Sequence, residues 1–132
     1  MAARFTILVT ASPYSRQGHS SALAFARAAI ECGHHIDTIF FHGDAVYVAS
    51  ELNSPPTDEV NITFEWQLFA QQHNIELSVC IGASLRRGIC DSETASQEQL
   101  NSSNLANNFT LDGLGNLAQA TADSVRLIRF GG

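Results

Sequence analysis

The chain has 132 residues, enough for one domain that buries its own core without a disulfide or structural metal. Apolar residues make up 45% and charged residues 15%, which excludes extensive disorder. Seven basic residues against thirteen acidic ones give a net charge of −6. That balance argues against direct nucleic-acid binding, because a protein that grips phosphate backbones carries a basic footprint.

Residues Met1–Thr10 hold one basic residue and an apolar run too short and too β-prone for a signal peptide or a membrane span. No later stretch reaches transmembrane length, so the expected location is the cytoplasm, with reduced thiols. Within this segment Phe5–Val9 is nearly continuously apolar, as in a strand covered on both faces. Ala11–Gly18 is turn-forming, and Ser20 or Ser21 is placed to cap a helix running to about Cys32. Ala22, Phe25, Ala26 and Ala29 give that helix its apolar stripe, with Arg27 and Glu31 facing water and Gly33 closing it. His35–Phe41 reads as the second strand.

Ala45–Leu52 suits a short helix, and Asn53-Ser54-Pro55-Pro56 is a break. Asn61–His73 is the next helix. Ile62, Trp66 and Phe69 form one stripe and Phe64 and Leu68 a second, a wider apolar surface than one core contact needs. It fits either a subunit contact or a well-buried helix. Ile75–Cys80 is the third strand, and Asp91–Asn108 reads as polar loops with a short helix. Leu114, Leu117, Ala118 and Thr121 suit a helix with Asp112 as its cap, followed by a last strand over Ser124–Phe130. Strands alternating with helices imply a single-domain α/β fold, with a mostly parallel sheet of about five strands between helical layers, flavodoxin- or Rossmann-like. No repeat and no second domain is visible.

Three cysteines, Cys32, Cys80 and Cys90, with no Cys-x-x-Cys pair, fit neither a disulfide framework nor a zinc site. Cys80 ends a strand, and reactive groups of α/β sheets gather beyond the carboxyl ends of strands. It leads into Ile81-Gly82-Ala83-Ser84-Leu85-Arg86-Arg87-Gly88, whose first amides, with Arg86 and Arg87 folded back, favour a thiolate. Gly82 removes bulk where a sulfur substituent needs room. The competing reading is a plain core cysteine, and position alone does not separate the two.

Cys80 to Arg86 also has the Cys-x5-Arg spacing of Cys-based phosphatases. Against that reading, Arg87 follows where those enzymes carry Ser or Thr, the loop has one glycine, and no general-acid Asp stands out. Cys32 is expected in the core and Cys90, in a polar segment, nearer the surface, where a resolving role is permitted but not indicated. Of the five histidines, His34 and His35 read as a solvated pair, while His19 and His42 follow strands and lie near the active edge. The loop Ala11–Ser20 lacks the glycine pattern of a nucleotide site.

The chain resembles the TusD/DsrE family of sulfur-relay subunits over almost its whole length, and TusD more closely. The matching segments are Ser12-Pro13-Tyr14, Phe40-Phe41, Leu52-Asn53-Ser54-Pro55, Ser103-Asn104-Leu105 and Phe109–Gly115. The most specific is Val79–Ile89 with Asp91. The resemblance implies that Cys80 carries sulfur as a persulfide, with no metal or organic cofactor. It implies TusB- and TusC-like partners in a heterohexamer (a dimer of heterotrimers), a TusA-like donor and a TusE/DsrC-like acceptor, towards 2-thiolation of the tRNA wobble uridine. A DsrE-like role in sulfur oxidation would use the same persulfide. A structural subunit with an inert Cys80 is the remaining alternative. Cys90 lies outside the motif and inherits no role.

Overall fold

The computed structural model describes residues 2–123 and 126–131. Five strands form one parallel sheet: β1 (Arg4–Val9), β2 (His35–Phe41), β3 (Leu77–Cys80), β4 (Phe109–Asp112) and β5 (Arg126–Phe130), in the order β4-β3-β2-β1-β5. The helices are α1 (Gly18–Glu31), α2 (Ile62–His73), α3 (Ile81–Arg86), α4 (Ser92–Gln97) and α5 (Leu114–Asp123), with a 3₁₀ segment over Gly43–Ala49. The α/β class with a parallel sheet is as the sequence implies.

Apolarity on both sides explains the central strands. Ile7, Val9, Ile39, Phe41, Leu77 and Val79 are all fully buried. Phe41 meets Trp66 of α2 edge-on, with ring centroids 5.2 Å apart, so this face of the sheet packs against the helices. Across the other face, Thr6 Oγ1 donates to the Ala120 carbonyl of α5 at 3.4 Å. The sheet therefore lies between two helical layers.

The strand order turns back between β1 and β5, the place where such sheets often open a crevice. Here it is closed. The helix α1 starts so near the preceding loop that a Cβ on Gly18 would stand 2.5 Å from the Ala11 Cβ and 3.2 Å from the Gly131 carbonyl oxygen.

Several boundaries differ from the sequence reading. Helix α1 begins at Gly18, with Ser20 and Ser21 exposed within its first turn and Gln17 at the N-cap making no side-chain cap. The short helix expected over Ala45–Leu52 is the 3₁₀ segment Gly43–Ala49, and β3 starts at Leu77. Strand β4 has no counterpart in the sequence reading, because it is an edge strand with a polar, half-exposed sequence, Phe-Thr-Leu-Asp. Asp112 belongs to that strand, and its carboxylate receives the Ser78 hydroxyl at 3.0 Å and the Asn116 side-chain amide. Ser124 and Val125 of the expected last strand lie outside the described residues.

The second stripe of α2 is where the sequence places it: Phe64 is 53% exposed while Ile62, Trp66 and Phe69 are buried. The helix is capped at its start by Asn61, whose Oδ1 accepts from the Phe64 amide at 3.1 Å. It ends on Asn74 in the left-handed conformation (φ 53°).

Candidate functional site

Strand β3 is buried at every position, so Cys80 arrives at the carboxyl edge of the sheet on a rigid element. It is both the last residue of the strand and the N-cap of α3, with φ −59° and ψ 120°. Only 4% of its surface is accessible. In the ladder it faces Asp112 of β4, and Ser78, two residues earlier on the same face, holds that carboxylate.

The two arginines go different ways. Arg86 turns back along α3, since a Cβ on Gly82 would lie 3.5 Å from its Nη1. Gly82 and Arg86 are thus brought together beside the start of the helix, and the room left by the glycine is bounded by a guanidinium. Arg87 is committed elsewhere: its Nε donates to Asp44 Oδ1 at 3.0 Å and its Nη1 to the Ala83 carbonyl at 3.1 Å. Its role is to tie α3 to the 3₁₀ segment.

A phosphatase needs the residues between Cys and Arg to form a loop whose amides converge on one phosphoryl group. Here Ile81–Arg86 is helical, and helical amides point along one axis. The geometry does not provide that cradle.

The other cysteines exchange environments relative to expectation. Cys32, expected in the core, lies just beyond the end of α1 and is exposed. Cys90, expected nearer the surface, is buried. Asn104 folds over it: its Oδ1 accepts from the Cys90 amide at 3.1 Å, and its own amide and that of Leu105 donate to the Cys90 carbonyl, both at 3.0 Å. The thiol points to the Ser102 carbonyl at 3.5 Å. Cys90 lines a cavity of ≈ 570 Å³ with Leu52, Leu85, Ile89 and Leu100, and Cys80 is not part of that lining.

The histidines also separate. His35 is exposed, while His34 is half-buried and accepts the Ala3 amide on Nδ1 at 2.9 Å. His19 is fully buried under the sheet, donating from Nε2 to the Ala11 carbonyl at 2.8 Å and accepting the Trp66 indole N–H on Nδ1 at 3.1 Å. These two partners fix its tautomer. Burial pulls its pKa from 6.5 down to about 4, against the opposing pull of the Ala11 carbonyl. It is a structural histidine: it lies at the carboxyl end of β1 and against Phe41, the last residue of β2, on the face of the sheet opposite that of Cys80. His42 reaches the carboxyl edge too: β2 and β3 pair up to Phe41 and Val79, and His42 and Cys80 come next. Among the described residues, no group of three or more His, Cys, Asp or Glu is arranged to hold a metal ion.

The chain as a whole is similar to known proteins. Residues 3–130 match the model of the DsrE/DsrF-like family. The chain belongs to that family. Sulfurtransferase TusD of Erwinia tasmaniensis is 44% identical over 127 residues, covering 96% of this chain and 99% of the relative. Sulfurtransferase TusD of Sodalis glossinidius is 44% identical over 130 residues, covering 98% and 100%. The YchN protein of E. coli has the same fold, with a TM-score of 0.74 over 98% of this chain and 100% of that one, at 18% identity. Identity over nearly the whole length of curated relatives places this family member among the sulfurtransferases. No helix among its described residues is long and apolar enough to cross a membrane.

Proposed function

We propose that Cys80 is the sulfur-carrying residue, accepting sulfane sulfur as a persulfide from a TusA-like donor and passing it to a TusE/DsrC-like acceptor. The reading rests on the placement of Cys80 at the carboxyl end of β3, on the helix-capping residue of a chain 44% identical to sulfurtransferases. In the loading step the Cys80 thiolate attacks the outer sulfur of the donor persulfide. A new S–S bond forms on Cys80, the donor's S–S bond breaks, and the donor leaves as a thiolate. No electrons are gained or lost overall, so no redox cofactor is required.

Gly82 and Arg86 serve as the sulfur-side wall and the cation of the site, and Arg87 holds α3 in place from behind. The chain acts in the cytoplasm with TusB- and TusC-like subunits in a heterohexamer, its sulfur directed towards 2-thiolation of the tRNA wobble uridine, which a later enzyme performs. The acidic net charge and the exposed Phe64 support transfer to proteins within an assembly. A thiol that is 4% accessible also suits a sulfur held between two docking events, because a persulfide in open solvent is exposed to competing thiols.

Incubation with a persulfidated donor, followed by mass spectrometry of the intact chain, should show the addition of one sulfur atom in the wild type and none in Cys80→Ser. An adduct that survives the substitution would move the chemistry to another cysteine.

A further inference from the structure

Among the described residues, two buried side-chain polar atoms have no hydrogen-bond partner, Nδ1 of His42 and Oγ of Ser84. Buried polar groups are nearly always paired, so each of these calls for a physical reason. Both belong to elements that adjoin Cys80. His42 and Cys80 are the positions that follow the last β2–β3 ladder pair, Phe41 with Val79. Ser84 lies in α3, the six-residue helix that Cys80 caps, and a helical side chain leans towards the N-terminus of its helix. It is fully buried, where alanine would fill nearly the same volume without an unpaired hydroxyl. On the opposite side of Cys80 stands Asp112, whose carboxylate is already engaged by Ser78 and Asn116 and offers no donor.

We propose that the Nδ1–H of His42 and the Oγ–H of Ser84 are positioning donors for the outer sulfur of a Cys80 persulfide. The inference rests on Cys80 being the sulfur carrier. Loading places an anionic sulfur about 2 Å beyond Sγ, a new acceptor for two polar atoms that have no partner and can each donate. Sulfur transfer from glutathione persulfide makes the bond between Cys80 Sγ and the outer sulfur and breaks the donor's S–S bond. The leaving glutathione thiolate takes up the proton that Cys80 gave. The two donors change neither balance; they hold the product anion and fix its direction.

The test uses the full chain loaded with glutathione persulfide, with cyanide as the sulfur acceptor. Mass spectrometry follows the lifetime of the adduct, and thermal melts are recorded in parallel. Ser84→Ala and His42→Leu should each shorten the lifetime by about tenfold, the worth of one hydrogen bond to a charged group. His42→Asn, which keeps an N–H near the same place, should restore most of it. Ser84→Ala should melt at the same temperature as the wild type or higher, since it removes an unpaired group.

A wild-type lifetime in all three variants overturns the inference, as does a Ser84→Ala chain that melts lower but keeps its sulfur as long. Should Ser84→Ala fail to fold, the contrast between His42→Leu and His42→Asn still decides the matter. A wild-type chain that takes up no sulfur on Cys80 overturns the carrier assignment, and this inference with it.

Discussion

Two buried regions of this chain handle polar groups in opposite ways. Under the sheet, His19, Trp66 and Phe41 form a cluster in which both imidazole nitrogens and the indole N–H are paired. His19 also stacks on Phe41 at 5.6 Å with only 10° between the rings. On the other face of the sheet, where Cys80 ends β3, His42 Nδ1 and Ser84 Oγ are buried and, among the described residues, have no hydrogen-bond partner. Fully paired clusters fix a fold, whereas unpaired buried groups cost stability that packing elsewhere must offset. The first region serves the folded state, and the second is the one that our proposal assigns to the sulfur-loaded state.

The sharpest way to break that contrast is to damage the cluster under the sheet. Trp66 is fully buried, touches Phe41 and Phe69 edge-on, and donates to His19. Trp66→Ala should cost about 4 kcal/mol, read as a fall in the denaturation midpoint in urea. A loss below about 1 kcal/mol would mean that the cluster is not the centre of the core.

Next comes acid. His19 titrates near 6.5 when unfolded and about 4 when folded, so between these values the unfolded chain binds more protons. Its contribution is therefore whole above pH 6.5 and is lost progressively as pH falls towards 4. The loss at the lower end is about 3 kcal/mol. Urea unfolding at pH 7 and near pH 4 measures it. His19→Leu should be less stable at neutral pH but should lack this part of the acid dependence. An unchanged slope would assign the acid sensitivity to other groups.

The same contrast explains what could be read from the sequence. The apolar runs of β1, β2 and β3 announce themselves because both faces are covered, and Cys80 is legible as a strand end followed by a helix start. The pairing of His19 with Trp66 spans 47 residues, and no local pattern carries it. Cys90 sits in polar sequence yet is buried, because Asn104, 14 residues later, folds over it. Cys32 follows an apolar helix yet is exposed, because α1 ends one residue before it. Strand β4 is not legible in the sequence because an edge strand needs only one well-covered residue, here Phe109. Ser84 gave no signal at all: a serine in a short helix is ordinary until its hydroxyl is found buried and alone.

The smallest effect concerns Arg87, which the sequence groups with Arg86 as a cation for the sulfur and which the structure pairs with Asp44. Asp44 is largely exposed, its side chain 60% accessible. Ion pairs of this kind contribute about 0–1 kcal/mol. Arg87→Gln should therefore shift the urea midpoint only slightly, and added salt should reduce even that shift. If Arg87 only anchors α3, Asp44→Asn should reproduce its small effect on both stability and sulfur loading. A loading defect confined to Arg87→Gln would return Arg87 to the sulfur side of the site and leave Asp44 as a surface partner. Arg86 turns back over Gly82 and makes no ion pair among the described residues, so on our proposal it is the cation for the outer sulfur, and Arg86→Gln should slow loading more than Arg87→Gln does.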